Sequence, residues 1–325
     1  MSLNRRSAIA GAAALSVAPN AVAPNAFAQA FPSKPIKLVV PFAAGSATDL
    51  AARGLGNKLQ DILKQPVVID NKPGASGQLG ASAVATAPAD GYTLLMGTNT
   101  TNAANSALFK KLSYDPDKDF APIMRCITGV NALVVNNDVP AKTVAELIDY
   151  ARKNPGKLNY SEASASQRLS AEMFNKMAGI KIERVPYKAS PQALADVASG
   201  QVQVMFPDLP QALTQIDAGR VRGLGVTSPK RTAVAVSLPA IAETVPGYVL
   251  VYWLAVFAPA GTPRDIQKSL ADAIAEALRD PATAKAMTQG RMEISPLPLE
   301  QFSAYVKEQT TWWTTEIKAA GIEPE

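Results

Sequence analysis

Short apolar runs that favour β-strands alternate with segments of helical character along most of this chain. Such alternation is typical of α/β folds, in which helices pack against a sheet between successive strands. We therefore predict an α/β protein with largely parallel sheets. The strand candidates are Ile36–Val40, Val67–Ile69, Tyr92–Met96, Ala132–Val135, Lys157–Tyr160, Ile182–Pro186, Val202–Phe206, Val221–Val226 and Val249–Phe257.

The first strand candidate is followed by a loop of small residues, Pro41 to Asp49, that opens a helix. Small side chains let a ligand approach the backbone closely, and a helix N-terminus presents unpaired N–H groups with a partial positive charge. This pattern predicts a site for a carboxylate or phosphate that needs no basic side chain. The same residues also fit an ordinary turn, with Ser46 as the N-cap and Asp49 as its capping-box partner.

The chain contains no histidine, which removes the usual general base near neutral pH and every catalytic triad built on it. Its single cysteine, Cys126, cannot form an intrachain disulfide or a zinc cage and is expected to be a small buried hydrophobe. Catalysis by carboxylate, lysine or tyrosine stays open, but no spacing marks it. We expect no enzymatic activity, no cofactor and no metal.

The first thirty residues have the features of an export signal. Two arginines precede a short apolar run, Ala8 to Ala18, and the small residues Ala28 and Ala30 fit a cleavage site. The run is shorter than the ~20 residues that span a bilayer. We predict a signal peptide over residues 1–30, cleaved near Ala30, and a periplasmic mature protein. The arginine pair leaves both the Sec and the twin-arginine route open.

The charge is mild and scattered. Removal of the leader lowers the net charge from +5 to +3, because it leaves 30 basic and 27 acidic residues. No cluster of lysine and arginine marks a nucleic-acid surface, so no nucleic-acid partner is expected.

Two strand candidates, Asn131–Val135 and Val249–Phe257, are interpreted as crossings between two domains. The first lobe is then predicted to comprise residues 31–130 and 254–325, and the second lobe residues 131–253. A pocket is expected in the cleft, at the C-terminal ends of the strands, and the two crossings form a hinge on which the lobes close.

Short motifs occur in a characteristic order over residues 31–325: Pro35–Phe42, Gly45–Asp49 with Ala52-Arg53, Asn71–Gly77, Asp90–Leu95, Tyr114–Pro116 with Asp119-Phe120, Asn154–Tyr160, Val185–Lys188 and Ala258–Pro263. In this order and spacing the chain resembles the tripartite tricarboxylate transporter substrate-binding proteins, also called Bug receptors. The resemblance implies a two-lobed periplasmic binding protein fold of the type II-like class, with two Rossmann-like lobes joined by crossing strands. It also implies capture of a small carboxylate and its delivery to a permease with one large and one small membrane subunit.

The resemblance further implies which residues bind the ligand, largely through backbone amides, small polar side chains and water. The implied first-lobe contacts are Phe42, Ala43, Ala44, Gly45, Ser46, Asp49, Thr98, Asn99 and Thr100. The implied second-lobe contacts are Ser164, Ala165, Ser166, Gln167, Arg168, Lys188 and Asp208.

Several of these residues also have a purely structural interpretation. Asp49 fits a helix cap that pairs with Arg53 one turn later, and the threonines from Thr98 onward fit a turn that satisfies its own backbone. Lys188 fits a solvated surface charge. Asp208 fits the end of a strand or the cap of the following helix.

The second-lobe loop departs from the family pattern. It is short, lacks glycine and contains Glu162, and Arg168 stands where a histidine is expected. Glu162 close to the cleft would repel a second anionic group, and Arg168 would offset it by pairing with Glu162 or by binding a ligand carboxylate. The identity of the ligand therefore does not follow from the resemblance.

The leading hypothesis is an exported, monomeric solute-binding receptor for a small carboxylate. An alternative keeps the receptor but replaces transport by ligand sensing, with signalling to a membrane sensor. A third hypothesis, an exported hydrolase that uses carboxylates or Lys188, lacks both a histidine and a nucleophile elbow.

Overall fold

A computed structural model describes residues 31–289 and 291–325; the predicted export signal over residues 1–30 lies outside this range. The strands are β1 Ile36–Val40, β2 Val67–Asn71, β3 Thr93–Thr98, β4 Phe120–Val130, β5 Ala132–Asn136, β6 Asn159–Glu162, β7 Glu183–Pro186, β8 Val204–Met205, β9 Val221–Val226, β10 Val251–Pro259 and β11 Glu293–Pro298. The helices are α1 Ala47–Leu63, α2 Gln78–Ala85, α3 Asn105–Leu108, α4 Val144–Lys153, α5 Ala165–Ala178, α6 Ser190–Ala198, α7 Leu209–Asp217, α8 Arg264–Arg279, α9 Pro281–Thr288 and α10 Leu299–Ala319.

The strands form two sheets, each with helices packed on it, which confirms the α/β prediction. The first lobe contains a six-stranded sheet of order β11-β4-β10-β3-β1-β2, and the second lobe a five-stranded sheet of order β7-β6-β8-β5-β9. Hydrogen bonds within α1 begin at Ser46, and α4 begins at Thr143, whose hydroxyl accepts from the N–H of Glu146 at 3.1 Å. Both polar side chains act as the N-caps that their positions before the helices indicate.

The prediction of largely parallel sheets is wrong. β1 pairs in parallel with β2 and β3, and β6 with β7 and β8. The remaining pairs are antiparallel: β10 with β3 and β4, β11 with β4, and β5 with β8 and β9. The chain leaves the first sheet along β4 and returns along β10, so these two strands run in opposite directions beside each other.

The two connecting strands approach closely beside the linking residue Asn131. β4 ends at Val130 and β5 begins at Ala132, while Tyr252 of β10 lies opposite Gly129 of β4. A Cβ atom on Gly129 would lie 2.4 Å from Cζ of Tyr252, so only glycine leaves room for the tyrosine ring. This close approach fixes the position of Tyr252 next to the connection between the lobes.

The core of the first lobe is built around aromatic side chains. Phe302 of α10 packs against Phe257 and Trp253 of β10, with ring centroids 5.1 and 5.9 Å apart. Trp313 of α10 is also fully buried, so the aromatic side of this helix faces the core. Cys126 is fully buried as well, and burial raises its pKa to about 12, as expected for an inert small hydrophobe.

None of the helices within residues 31–289 and 291–325 combines the length and the apolar character that crossing a bilayer requires.

Candidate functional site

A cavity lies where residues of both lobes meet. Its walls follow the C-terminal ends of β1, β3, β6, β7 and β8, the position at which open α/β sheets usually bind ligands, and β10 adds two residues. The lining residues on the side of the first sheet are Phe42, Ala43, Ser46, Thr48, Thr98, Asn99 and Thr100, together with Tyr252 and Leu254 of β10. The second-lobe lining residues are Ala163, Ser164, Ser166, Gln167, Lys188, Ala189, Ser190 and Asp208.

Most of the residues predicted to contact a ligand are brought together here. The predicted residues that line the cavity are Phe42, Ala43, Ser46, Thr98, Asn99, Thr100, Ser164, Ser166, Gln167, Lys188 and Asp208. The predicted residues outside this lining are Ala44, Gly45, Asp49, Ala165 and Arg168. Lining residues that the sequence analysis missed are Thr48, Ala163, Ala189, Ser190, Tyr252 and Leu254.

The loop after β1 is held rigid by Asp49. Its carboxylate accepts the N–H of Gly45 at 2.9 Å and pairs with Arg53 at 2.9 Å, and the side-chain amide of Asn71 donates to it at 2.9 Å. Burial opposes its ionisation, but the hydrogen bonds from Arg53, Gly45 and Asn71 together lower the pKa of Asp49. Asp49 thus pairs with Arg53 as its structural interpretation predicts, but its carboxylate accepts from Gly45 and not from the N-cap Ser46, so the capping box is not completed. Gly45 adopts a φ of +80° that suits glycine.

Three helices begin at the cavity with backbone N–H groups in their first turns. Thr48 of α1, Ser166 of α5 and Ser190 of α6 all line the cavity, and within the part of the chain that the structure covers their N–H groups have no hydrogen-bond acceptor. First-turn amides have no partner inside their own helix and carry a partial positive charge. Helix ends arranged in this way are able to hold an anion without a salt bridge.

The loop after β3 uses its threonines as the turn interpretation predicts. The hydroxyl of Thr98 accepts the N–H of Thr100 at 3.1 Å, and the N–H of Thr98 donates to the hydroxyl of Thr101 at 3.0 Å. The next residues, Thr100–Ala104, form a π-helical turn, an irregularity that is frequent at functional sites. Asn99 is 2% exposed and lines the cavity, and its Nδ2 has no acceptor among the described residues, so a donor is available there.

Two hydrogen bonds cross between the lobes at the cavity. The N–H of Ala165 donates to the hydroxyl of Thr100 at 3.2 Å, and the side-chain amide of Gln211 donates to the carbonyl of Gly45 at 3.0 Å. Gln211 is linked back to the cavity, because it accepts from Ser190 at 3.0 Å and Ser190 accepts from Gln167 at 2.9 Å. The lobes are therefore closed over the cavity.

The hydroxyl of Ser190 takes part in the hydrogen bonds with Gln167 and Gln211 and does not cap α6. The N-cap position of α6 belongs to Ala189, whose side chain makes no capping bond. The proline at position 191 does stand in the first turn, as its sequence position indicates.

The pairing of Arg168 with Glu162 is not formed. Glu162 pairs with Arg184 at 2.8 Å, and Arg168 pairs with Glu325 at 2.8 Å. The parallel register of β6 and β7 sets Glu162 opposite Pro186, which places Arg184, two residues earlier, on the same face as Glu162. Burial raises the pKa of Glu162 against the opposing effect of Arg184, and Glu162 is not part of the cavity lining.

The cavity lining contains two charged side chains, Lys188 and Asp208. Lys188 is exposed, as its interpretation as a solvated charge predicts. Asp208 is partly exposed, and desolvation raises its pKa to about 7 although a hydrogen bond from Asn131 at 3.4 Å opposes this rise. Asp208 stands at the N-cap position of α7 but its side chain makes no capping bond.

Among the lining residues that the sequence analysis missed, the two on β10 have an identifiable sequence signal, which is their spacing along a strand. Tyr252 and Leu254 are two positions apart on β10 and so project to the same side of the strand, next to the cavity. Their strand was predicted, but the face that meets the cavity depends on the register with β3 and β4. Ala163 and Ala189 carry no chemical signal in the sequence.

Comparison with known proteins agrees with this architecture. A family model described as the tripartite tricarboxylate transporter family receptor matches residues 51–322. BugT of Bordetella pertussis (strain Tohama I) is 32% identical over 326 residues, an alignment that covers 99% of each protein.

Two solved structures of similar proteins hold carboxylates. The structure of Rpa4515 of R. palustris with adipate has a TM-score of 0.88 and 37% identity, and covers 91% of this chain and 100% of that one. MatC from Rhodopseudomonas palustris with bound malate has a TM-score of 0.82 and 30% identity, and covers 88% of this chain and 100% of that one. With its two α/β lobes and a cavity between them, this chain has the periplasmic binding protein fold and belongs to the tripartite tricarboxylate transporter receptor family.

Proposed function

We propose that this receptor captures a small carboxylate in the cavity between its lobes and delivers it to a tripartite tricarboxylate-type permease with one large and one small membrane subunit. The observation that supports this most is the convergence of the first turns of α1, α5 and α6 on the cavity, with N–H groups available at Thr48, Ser166 and Ser190. Three positive helix ends stabilise one anionic group while Lys188 stays in solvent.

The related structures support the same ligand class. Their ligands, adipate and malate, are both carboxylates of small size. We propose that the predicted residues which line the cavity contact the ligand, and that Asp49 and Arg168 act by holding the loop and the second lobe in place.

The receptor works outside the cytoplasm. The protein is exported, cleaved near Ala30 and active as a periplasmic monomer that catalyses no reaction. Its lobes comprise residues 31–130 with 254–325 and residues 131–253, and they close by rotation at the connecting strands.

A calorimetric screen of the purified protein with mono-, di- and aromatic carboxylates tests the binding function. We expect at least one acid to bind with a 1:1 stoichiometry. If none binds to protein that is folded by circular dichroism, the proposed function is wrong.

Deletion of the gene tests the transport step. Loss of uptake of the acid identified in the screen supports delivery to a permease. Unchanged uptake with lost induction of genes by that acid would replace transport by the sensing function.

A further inference from the structure

One acidic side chain in the cavity is short of hydrogen-bond donors. The carboxylate of Asp208 has a single hydrogen bond among the described residues, from Nδ2 of Asn131 to Oδ1 at 3.4 Å, which is long for an amide donor. Although Asp208 holds the N-cap position of α7, its carboxylate does not accept from the first turn of that helix. The side chain is therefore available to the cavity that it lines.

The neighbours of Asp208 add acceptors and no further donor. Asn131 donates to the carbonyl of Phe206 at 2.8 Å, and its own Oδ1 is buried without a donor among the residues described. Tyr252, which also lines the cavity, donates its hydroxyl to the sulfur of Met292 at 3.3 Å. Neither of these neighbouring side chains thus offers Asp208 a further donor.

The nearby cations do not neutralise Asp208. Arg291 donates to the carbonyl of Pro210 on α7 and pairs with Asp217 at 2.8 Å. Lys188 shares the cavity, but no ion pair joins it to Asp208. Water or a bound molecule in the cavity is therefore the source of any further donor to this carboxylate.

The helix ends at the cavity, in contrast, have hydrogen-bond donors and need an acceptor. Thr48, Ser166 and Ser190 offer donors without acceptors, and Nδ2 of Asn99 is a further donor without one. A ligand that satisfies both sets carries an acceptor group at one end and a donor group at the other.

We propose that Asp208 forms a subsite for a hydrogen-bond donor, so that the ligand is a carboxylate bearing a hydroxyl or ammonium group at its far end and not an unsubstituted dicarboxylate. This inference rests on the proposed carboxylate-binding function. An ionised Asp208 accepts a strong hydrogen bond from such a group, whereas it repels a second carboxylate.

Matched acids of three to six carbons test the subsite by calorimetry at pH 8. At each chain length the far end is a methyl, carboxylate, hydroxyl or ammonium group. We expect the hydroxyl or ammonium acid to bind about tenfold more tightly than the dicarboxylate of equal length. Asp208→Asn should reduce this preference to about twofold, while the control Asp117→Asn, at an exposed carboxylate outside the cavity, should retain it.

A pH series with the unmodified protein tests the same point without any substitution. Burial raises the pKa of Asp208 to about 7, and the groups that face it are Asn131, Tyr252 and, across the cavity, Lys188. The preference for the donor-bearing acid should therefore rise between pH 5.5 and 8, as Asp208 loses its proton.

The outcomes separate the two proposals. If no acid of any kind binds, the carboxylate-binding function fails and the subsite fails with it. If acids bind but the dicarboxylate binds at least as tightly at pH 8, or Asp208→Asn leaves the preference unchanged, the subsite alone is wrong.

Discussion

At the scale of single residues, Asp208 shows how a binding site departs from what folding favours. A partly exposed, largely desolvated carboxylate with one long hydrogen bond is poorly stabilised in its charged form, because desolvation penalises the charge. The adjacent Asn131 and Tyr252 do not compensate, since their hydrogen bonds go mainly to other groups. Such a group lowers the stability of the empty protein in exchange for a contact with a ligand.

We therefore predict that Asp208→Asn stabilises the protein at pH 8. The pKa of this carboxyl rises from 3.8 to about 7 on folding, so the folded state holds its proton longer and stability falls as the pH rises through this window. The asparagine carries no charge, and we expect a gain of roughly 2–4 kcal/mol in the free energy of unfolding at pH 8. Urea unfolding at pH 8 and pH 4.5 measures it.

The gain should shrink at pH 4.5, where Asp208 is protonated in the folded protein. Asp117→Asn serves as the control and should change stability by less than about 0.5 kcal/mol at either pH. Equal stability of Asp208→Asn and the unmodified protein at pH 8 would show that the charge on Asp208 does not destabilise the folded protein.

At the scale of strands and helices, local patterns predicted elements where the apolar run was uninterrupted. β1 and β9 have the predicted bounds, and α1 starts where its cap indicates. β4 and β11 were missed, because Pro122 interrupts the first and the second contains Pro296 and Pro298. Proline is tolerated in β11 because it is an edge strand, and in β4 beside a register shift of its pairing with β10. Neither the edge location of β11 nor the register shift in β4 is predictable from the sequence before the order of strands in the sheet is known.

The candidate site also contains residues that were predicted from the sequence and contacts that were not. Phe42, just after β1, and Thr98, at the end of β3, were implied by the resemblance to Bug receptors, and both line the cavity. The partner of Glu162 was not predicted, because Arg184 is 22 residues away and reaches it only through the register of β6 and β7. A contact between neighbouring strands is predictable only when the pairing register is known, whereas the position of a residue at the end of a strand follows from the sequence.

The β6–β7 ion pair gives a prediction for the second lobe. Glu162 is 4% exposed, so Arg184→Met should leave a buried charge and cost about 3 kcal/mol in urea unfolding at pH 7. The double variant that adds Glu162→Gln should recover much of this loss, because no charge is then left unpaired.

Arg231→Met is the matched control, since Arg231 pairs with Glu243 on the surface and should contribute less than about 1 kcal/mol. A loss from Arg184→Met no larger than that of the control would mean that water reaches Glu162.

At the scale of the whole molecule, the closed arrangement depends on a few bonds between the lobes. Gln211 joins the second lobe to the carbonyl of Gly45, and its oxygen is held by Ser190, which lines the cavity. A bond made only in the closed state shifts the equilibrium toward closure and raises the apparent affinity for the ligand.

We predict that Gln211→Ala weakens binding of the acid identified in the screen by about five- to tenfold in calorimetry. Its melting temperature without ligand should stay within about 2 °C, because the lost bond links lobes that fold on separate sheets. Gln215→Ala, one helical turn later on α7, should bind with unchanged affinity. Unchanged affinity of Gln211→Ala would show that this bond takes no part in closure.

The central claim is that backbone N–H groups at helix ends hold the carboxylate. A crystal structure of the protein with its bound acid tests this directly. We predict carboxylate oxygens about 3 Å from the N–H groups of Thr48, Ser166 or Ser190, or joined to them by one water molecule. A carboxylate paired with Lys188 alone, with those N–H groups left without the ligand, would contradict the account.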